Sequence, residues 1–313
     1  MGKFMAAFRI VQGGGPPAAA PEGISVVEPA ILTSPLVFAS PHSGSYYPPE
    51  FVAQSMLDLA GLRRSEDCFV DDLFGDAPLH GAPLLRAIYP RAFLDVNREP
   101  YELDPEMFEG PLPSYVNTSS TRVAAGLGTI ARIVSTRREI YRGKLPFAEA
   151  ERRLAMFYRP YHQRLRALVA RARERFGFAV LVDCHSMPSS GLPLGPDSSP
   201  QGIDIVLGDR SGLSCHPLIT EAIEDSLRTM QYRVLRNNPY AGGFTTQHYG
   251  DPANGIHTVQ IEINRALYMD EATLQRTAGF GKLRSDLRSL IENLDRVAAL
   301  AARPLQFQRL SAE

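Results

Sequence analysis

The 313-residue chain has few cysteines, almost no net charge and no long apolar run. Its three cysteines, Cys68, Cys184 and Cys215, lie far apart and form no CxxC pair. A disulfide framework is therefore not expected, and a reducing compartment is favoured. The formal net charge of -1 offers no basic field for nucleic acid or an anionic membrane. No segment reaches the roughly 18–20 apolar residues of a membrane span. We therefore expect a soluble, cytoplasmic protein whose partner is a small molecule.

Two common catalytic signatures are also missing or incomplete. The chain contains no GxSxG, so the His-Ser pairs at 42–43 and 185–186 do not indicate a serine hydrolase. The segment GLGTIA (126–131) fits GxGxxA, but no clear strand precedes it and no ribose-binding acid stands out. A dinucleotide site is therefore not favoured.

Strand-like apolar segments alternate with helical segments along most of the chain. Residues 1–23, rich in Gly, Pro and Ala, predict a mobile tail, and residues 24–313 predict one domain. Helical spacing is clearest at 146–176, where Pro160 predicts a kink or a break. Further helices are predicted at 215–230 and 270–302, and strands at 34–44, 83–90, 91–99, 178–184, 203–208, 231–237 and 257–265. This alternation predicts an α/β fold: one three-layer αβα domain with a mixed, largely parallel central sheet.

Reactive side chains stand at the ends of four predicted strands. Ligands of such sheets bind at the carboxyl ends of the strands, so we expect these side chains to meet. They are His42 after VFASP, Asn97 and Arg98 in FLDVNRE, His185 in VLVDCHS, and Glu262 and Arg265 in HTVQIEINR.

The two histidines predict a metal site. Neutral imidazole is a common zinc ligand, and a catalytic zinc takes three protein ligands and keeps one position open. His42 and His185 supply two ligands, and the segment SEDCFVDDLF offers a third among Glu66, Asp67, Asp71 and Asp72. The alternative is that each histidine is a hydrogen-bonded polar residue at a strand end and that the acids form a solvated helix face.

Glu262 lies within an apolar strand, where a carboxylate is costly unless it is paired or functional. Beside a metal site it would act as general base, and the alternative is an ion pair with Arg265. Strand alternation places Asp183 on the same face as His185, where it could orient the imidazole. Cys184 then points to the opposite face and is interpreted as a core residue.

Two further segments suggest substrate contacts. The pair Asn97-Arg98 suits a substrate with a free carboxylate, because a guanidinium binds that group in a bidentate manner, although a surface salt bridge is the simpler reading. Segment 240–252 contains Gly243 and His248 and predicts a flexible loop that brings an imidazole over the site, or a plain glycine turn.

Eight segments together resemble the N-formylglutamate amidohydrolase family, in the same order and with similar gaps over about residues 34–275. They are SPHSGSYYP (40–48), EDCFVDDLF (66–74), FLDVNREPYELDP (93–105), GLGTIARIV (126–134), YRPYHQRL (158–165), LVDCHSMPS (181–189), DIVLGDRSG (204–212) and GGFTTQHYGDPANGIHTVQIEINRALYMDE (242–271).

The resemblance implies a zinc-carboxypeptidase-like fold, one Zn²⁺ ion and hydrolysis of N-formyl-L-glutamate to formate and L-glutamate, the last step of one route of histidine degradation. It implies His42, Asp67 and His185 as metal ligands and Glu262 as the base. Arg98 and Asn97, beside Gly243, would hold the substrate carboxylate, and His248 or Arg265 would stabilise the oxyanion.

One departure concerns the third ligand. Zinc carboxypeptidases carry an acid three residues after the first histidine, and here that position is Ser45. Another zinc-dependent N-acyl-amino-acid deacylase or carboxypeptidase-like enzyme is the alternative function, and a non-catalytic metal- or amino-acid-binding module is a further one. The oligomeric state is not predicted.

Overall fold

The computed structural model describes residues 20–134, 136–190 and 202–301. Most of the predicted N-terminal tail and nearly all of the GLPLGPDSSPQG segment (191–202) lie outside these residues. The strands within them are β1 (Ile24–Val27), β2 (Leu36–Ser40), β3 (Leu84–Ala87), β4 (Ala179–Met187), β5 (Ile205–Gly208), β6 (Val234–Arg236), β7 (Ile256–Asn264), β8 (Met269–Asp270) and β9 (Gln275–Arg276).

A central sheet takes the strand order β1-β3-β2-β4-β7-β5-β6 among the described residues. Strands β3, β2, β4 and β7 run parallel, β1 is antiparallel to β3, and β5 is antiparallel to β7. Strand β6 is parallel to β5. The predicted mixed, largely parallel sheet is confirmed. Every residue of β4 is buried, which agrees with the apolar run AVLV that begins it.

Helices cover both faces of this sheet. They are α1 (Pro49–Gln54), α2 (Leu59–Leu62), α3 (Val70–Leu73), α4 (Thr121–Ala124), α5 (Phe147–Arg153), α6 (Arg159–Phe176), α7 (Pro217–Thr229), α8 (Phe244–Tyr249) and α9 (Gly279–Ala301). None of the described helices combines the length and apolar character that a membrane crossing requires.

The alternation of strand side chains separates two hydrophobic cores. Leu36 and Phe38 of β2 pack with α3, α7 and α9 on one face, whereas Val37 and Ala39 pack with α5 and α6 on the other. Cys184 of β4 is fully buried in the first core, as predicted. The predicted three-layer αβα arrangement is confirmed.

The helix predicted at 146–176 contains the expected irregularity. A π-helical turn at Leu154–Tyr158 separates α5 from α6, directly before Pro160. Proline has no amide hydrogen for the carbonyl four residues earlier, so regular α-helical bonding cannot continue through this point. Helix α6 ends at Gly177, which adopts a left-handed conformation with φ 82°.

The strand predicted at 91–99 is wrong, since the structure forms turns there. The amides of Phe93 and Leu94 both bond to the carbonyl of Pro90, and the amide of Asn97 bonds to the side chain of Asp95. Local bonds thus take the groups that a strand would offer to a neighbour. The predicted loop at 240–252 likewise contains helix α8.

Gly44 allows the turn after β2 to approach β3. A Cβ atom at Gly44 would lie 2.2 Å from the carbonyl oxygen of Tyr89, a backbone atom that cannot rotate away. Gly44→Ala should therefore lower the free energy of unfolding by about 1–3 kcal/mol, measured by urea denaturation. Gly143→Ala is the matched control, because nothing lies within 4 Å of its added carbon. Equal stability of the two variants would contradict this reading of the turn.

Candidate metal centre and active site

His42, Asp67 and His185 meet at the carboxyl end of the sheet, and all three are buried. Their candidate ligand atoms lie within 4.8 Å of one another. The Nδ1 atoms of His42 and His185 lie 3.5 Å and 3.2 Å from Asp67 Oδ2. His42 Nδ1 has no hydrogen-bond partner among the described residues, and a buried polar atom in that state is costly. Two imidazoles and a carboxylate are a donor set that fits a zinc-type ion.

The local backbone brings these groups together. His42 follows β2 and His185 lies in β4, and these strands are parallel neighbours in the sheet. Asp67 lies between Arg63–Ser65, a 3₁₀ turn, and α3, and its amide donates to the carbonyl of His42 at 3.0 Å. That single backbone bond brings the loop of the acid to the turn of the histidine.

Each imidazole has a carboxylate on its outer side. His42 Nε2 lies 2.7 Å from Asp95 Oδ1, and His185 Nε2 lies 3.0 Å from Asp183 Oδ2. Such carboxylates hold the proton on the outer nitrogen and leave the inner nitrogen free as a ligand. The placement of Asp183 matches its expected orienting role. Asp95 was missed by sequence reasoning, although it precedes Asn97 by two residues in FLDVNR.

Arg265 binds the carboxylate oxygen of Asp67 that does not face the histidines. The guanidinium donates from Nη2 to Asp67 Oδ1 at 2.9 Å and from Nε to Ser186 Oγ at 3.1 Å. Burial raises the pKa of Asp67, but the neighbouring imidazoles of His185 and His42 and the charge of Arg265 outweigh this and lower the pKa well below its usual value. The acid is therefore held as a carboxylate, the form that binds metal.

The structure separates Asp67 from the other acids of its segment. Glu66 accepts from Arg63 and Tyr47, Asp71 lies 3.6 Å from Arg86, and Asp72 pairs with the exposed Arg276. The fourth acid, Asp67, is the one that the structure places beside both histidines.

Glu262 lies directly beside His185. The two residues are register partners in the parallel pair β4–β7. Gln260, two residues earlier on the same face, donates to Glu262 Oε1 at 2.7 Å and accepts from the amide of Gly243 at 2.7 Å. Burial raises the pKa of Glu262 to about 7, and the charge of Asp67 adds to the increase while His185 opposes it. A carboxylate with such a pKa can both accept and release a proton near neutral pH.

Asn97 links the centre to the glycine segment. Its Nδ2 donates to Asp183 Oδ2 at 3.1 Å and lies 3.0 Å from His185 Nε2, and its Oδ1 accepts from the amide of Thr245 at 2.7 Å. A Cβ atom at Gly243 would lie 2.7 Å from Asn97 Nδ2, so this close approach requires glycine. The polar atoms of Asn97 are thus engaged within the protein.

Two neighbouring cavities, of about 310 Å³ and 230 Å³, share Arg91, Arg98, Tyr240 and Glu262 in their walls. The smaller is also lined by His42, His185 and Gly243. Arg91 was not singled out from the sequence. His248 does not line either cavity. It is exposed on α8 and its ring stacks on Phe244 at 4.8 Å.

Side chains of α5, the π turn and α6 hold the segment that carries Asp95 and Asn97. Arg153, Tyr158 and His162 lie 2.7–2.8 Å from the carbonyl oxygens of Phe93, Arg98 and Val96, respectively. Burial lowers the pKa of His162 to about 4, so its ring is neutral and Nε2 can donate. Arg153 and the YRPYHQRL segment therefore hold the backbone of the segment that carries Asp95 and Asn97.

Comparison with known proteins identifies the family of this chain. The family model described as N-formylglutamate amidohydrolase matches residues 34–269. The chain belongs to this family.

Relatives of this amidohydrolase are found among both sequences and structures. N-formylglutamate deformylases of Pseudomonas putida and Pseudomonas aeruginosa are 30% and 31% identical, over 76% and 83% of this chain and 82% and 92% of theirs. The crystal structure of N-formylglutamate amidohydrolase from Ralstonia eutropha JMP134 is 36% identical with a TM-score of 0.81. That match covers 91% of this chain and 100% of the other.

The outer carboxylate of His42 can be tested in this amidohydrolase. Asp95→Asn should weaken binding of Zn²⁺ by about 10–100-fold, because a neutral amide holds the outer nitrogen less strongly. Competition with a chromophoric chelator measures the affinity. Asp72→Asn, which changes a partly exposed acid that is paired with Arg276, is the control. Wild-type affinity of Asp95→Asn would contradict the role.

Proposed function

We propose that the chain hydrolyses the formyl amide of N-formyl-L-glutamate to formate and L-glutamate, with one zinc ion. The observation that carries the proposal is the buried group of His42, Asp67 and His185 with Glu262 beside it. Membership of the amidohydrolase family supports the reaction type, and the names of the two Pseudomonas relatives support the substrate.

Zinc would be held by Nδ1 of His42, Nδ1 of His185 and the carboxylate of Asp67. When bound, zinc polarises a carbonyl group and lowers the pKa of a bound water to roughly 7. Asp95 and Asp183 keep the outer nitrogens protonated, and Arg265 keeps the Asp67 carboxylate in position. These contacts fix the orientation of the three ligand side chains independently of the substrate.

Glu262 is proposed as the base. It accepts a proton from the attacking water as the oxygen bonds to the formyl carbon, and delivers it to the departing amino nitrogen as the carbon–nitrogen bond breaks. Gln260 fixes the Glu262 carboxylate through Oε1. Glu262 lines both cavities, which supports its contact with the substrate.

Arginines of the cavity are proposed to hold the substrate. Arg98 with Asn97 was expected to bind a carboxylate, and the place of Arg98 in the cavity wall beside Gly243 supports contact with the substrate. The bonds of Asn97 to Asp183 and Thr245 instead favour a role in positioning the site. Arg265 was expected to stabilise the developing oxyanion, but its bond to Asp67 Oδ1 supports a role in holding that ligand in place. For His248 no contact among the described residues supports that role.

We further propose that the enzyme works in the cytoplasm, in a route of histidine degradation. All three cysteines are buried and free, which supports a reducing compartment.

Glu262→Gln should retain zinc and lower kcat for release of formate from N-formyl-L-glutamate by about 10²–10⁴-fold, because the amide cannot accept the proton. Formate release and metal content are measured on the same sample. Glu221→Gln, an isosteric change on the exposed side of α7, is the control. A Glu262→Gln enzyme with a near-wild-type rate would overturn the assignment.

The substrate itself is tested by comparing N-formyl-L-glutamate with N-acetyl amino acids and short peptides. The proposal expects the highest kcat/KM for N-formyl-L-glutamate. Preference for an N-acetyl amino acid or a peptide would assign another amidase activity, and a zinc-loaded protein inert towards the whole panel would indicate a binding module.

A further inference from the structure

Three arginines line one cavity beside the candidate metal centre. Arg91, Arg98 and Arg122 all line the cavity of about 230 Å³ that also exposes His42 and His185. Like charges brought close together repel one another unless anions lie between them. The pairing of each arginine within the protein therefore decides which of them is available to a ligand.

The two inner arginines are largely engaged by the protein. Arg98 donates from Nε to the carbonyl of Leu127 at 3.0 Å and from Nη1 to the carbonyl of Asn97 at 2.9 Å. Arg91 donates from Nη2 to Asp95 Oδ2 at 2.7 Å, and Arg98 Nη2 lies 3.7 Å from the same oxygen. Asp95 therefore pairs with both Arg91 and Arg98.

Arg122 has a much looser pairing. Its Nη1 lies 3.8 Å from Glu102 Oε2, beyond hydrogen-bond distance. Glu102 Oε2 is buried and has no hydrogen-bond partner among the described residues. The Arg122 side chain, on the short helix α4, is 36% exposed at the cavity. Its donors are therefore available to an incoming anion.

The proposed substrate carries two carboxylates, and the inference that follows rests on the proposed function. The α-carboxylate of N-formylglutamate is attached to the carbon that carries the scissile nitrogen, so it must lie near the reacting centre. The side-chain carboxylate lies two methylene groups further out. We infer that Arg122 is a specificity-determining residue that binds the side-chain carboxylate, while Arg91 and Arg98 face the α-carboxylate. The enzyme then selects dicarboxylic N-formyl amino acids.

The test compares N-formyl-L-glutamate with N-formyl-L-glutamine, which has the same shape and a neutral side chain. Arg122→Gln should lower the ratio of kcat/KM for the acid over the amide by about 10–100-fold, mainly through a higher KM for the acid. Arg122→Lys should recover part of the preference. Arg164→Gln, an exposed arginine on α6 paired with Glu28, is the control and should leave the ratio unchanged. An unchanged ratio in Arg122→Gln would overturn the inference.

A binding measurement separates this inference from the proposed reaction. Calorimetry of the zinc-loaded protein compares glutarate, which has two carboxylates, with butyrate, which has one. Weaker binding of glutarate alone in Arg122→Gln supports the inference even if the wild-type protein releases no formate, a result that would overturn the proposed reaction. Equal binding of glutarate by wild type and variant overturns the inference even if the reaction is confirmed.

Discussion

Three carboxylates buried at the end of the central sheet determine how the rest of the site is arranged. Asp67, Asp95 and Asp183 are 1%, 3% and 0% exposed. An unpaired carboxylate in such surroundings would cost several kcal/mol, so each needs a cation or a donor at hydrogen-bond distance. Asp95 and Asp183 meet this need with the outer nitrogens of two histidines, and Asp67 meets it with Arg265 and the amide of Ser186. The ion pairs and hydrogen bonds that offset the cost of burying these carboxylates also orient the candidate metal ligands.

The helical layer on one face of the sheet extends this order to a segment without regular secondary structure. The turn that carries Asp95 and Asn97 has few ladder bonds of its own, and three side chains from α5, the π turn and α6 bond to its carbonyls. Because these three side chains are themselves buried, they fix the position of the turn. The position of Asp95 beside His42 is in this way supported by side chains of the neighbouring helical layer.

The sequence predicted the layered fold and much of the site, but not every element. Alternating apolar segments and the Gly177 helix end were sufficient for the αβα layers, and Pro160 indicated the irregular turn. The strand predicted at 91–99 failed because its apolar residues pack in the core while its polar side chains cap its own backbone. Strand propensity contains no information about such local competition. Arg91 and Arg122 were missed for a related reason: a single arginine in a sequence looks like a surface charge until its neighbours are known.

The amino-acid sequence by itself determined which chemistry was available: two histidines at strand ends, a cluster of acids, a glutamate in an apolar strand, and the family resemblance. The residue pattern left four acids open and the resemblance implied Asp67, and the tertiary structure places Asp67 beside both histidines. Four acids lie within seven residues. Asp67 differs from the other three because its amide bonds to the carbonyl of His42 and its carboxylate bonds to Arg265. Distances between elements that are far apart in sequence come from packing and sheet register, which local patterns do not encode. His248 shows the same dependence on tertiary packing. The sequence pattern predicted it near the site, and in the structure it is exposed on α8.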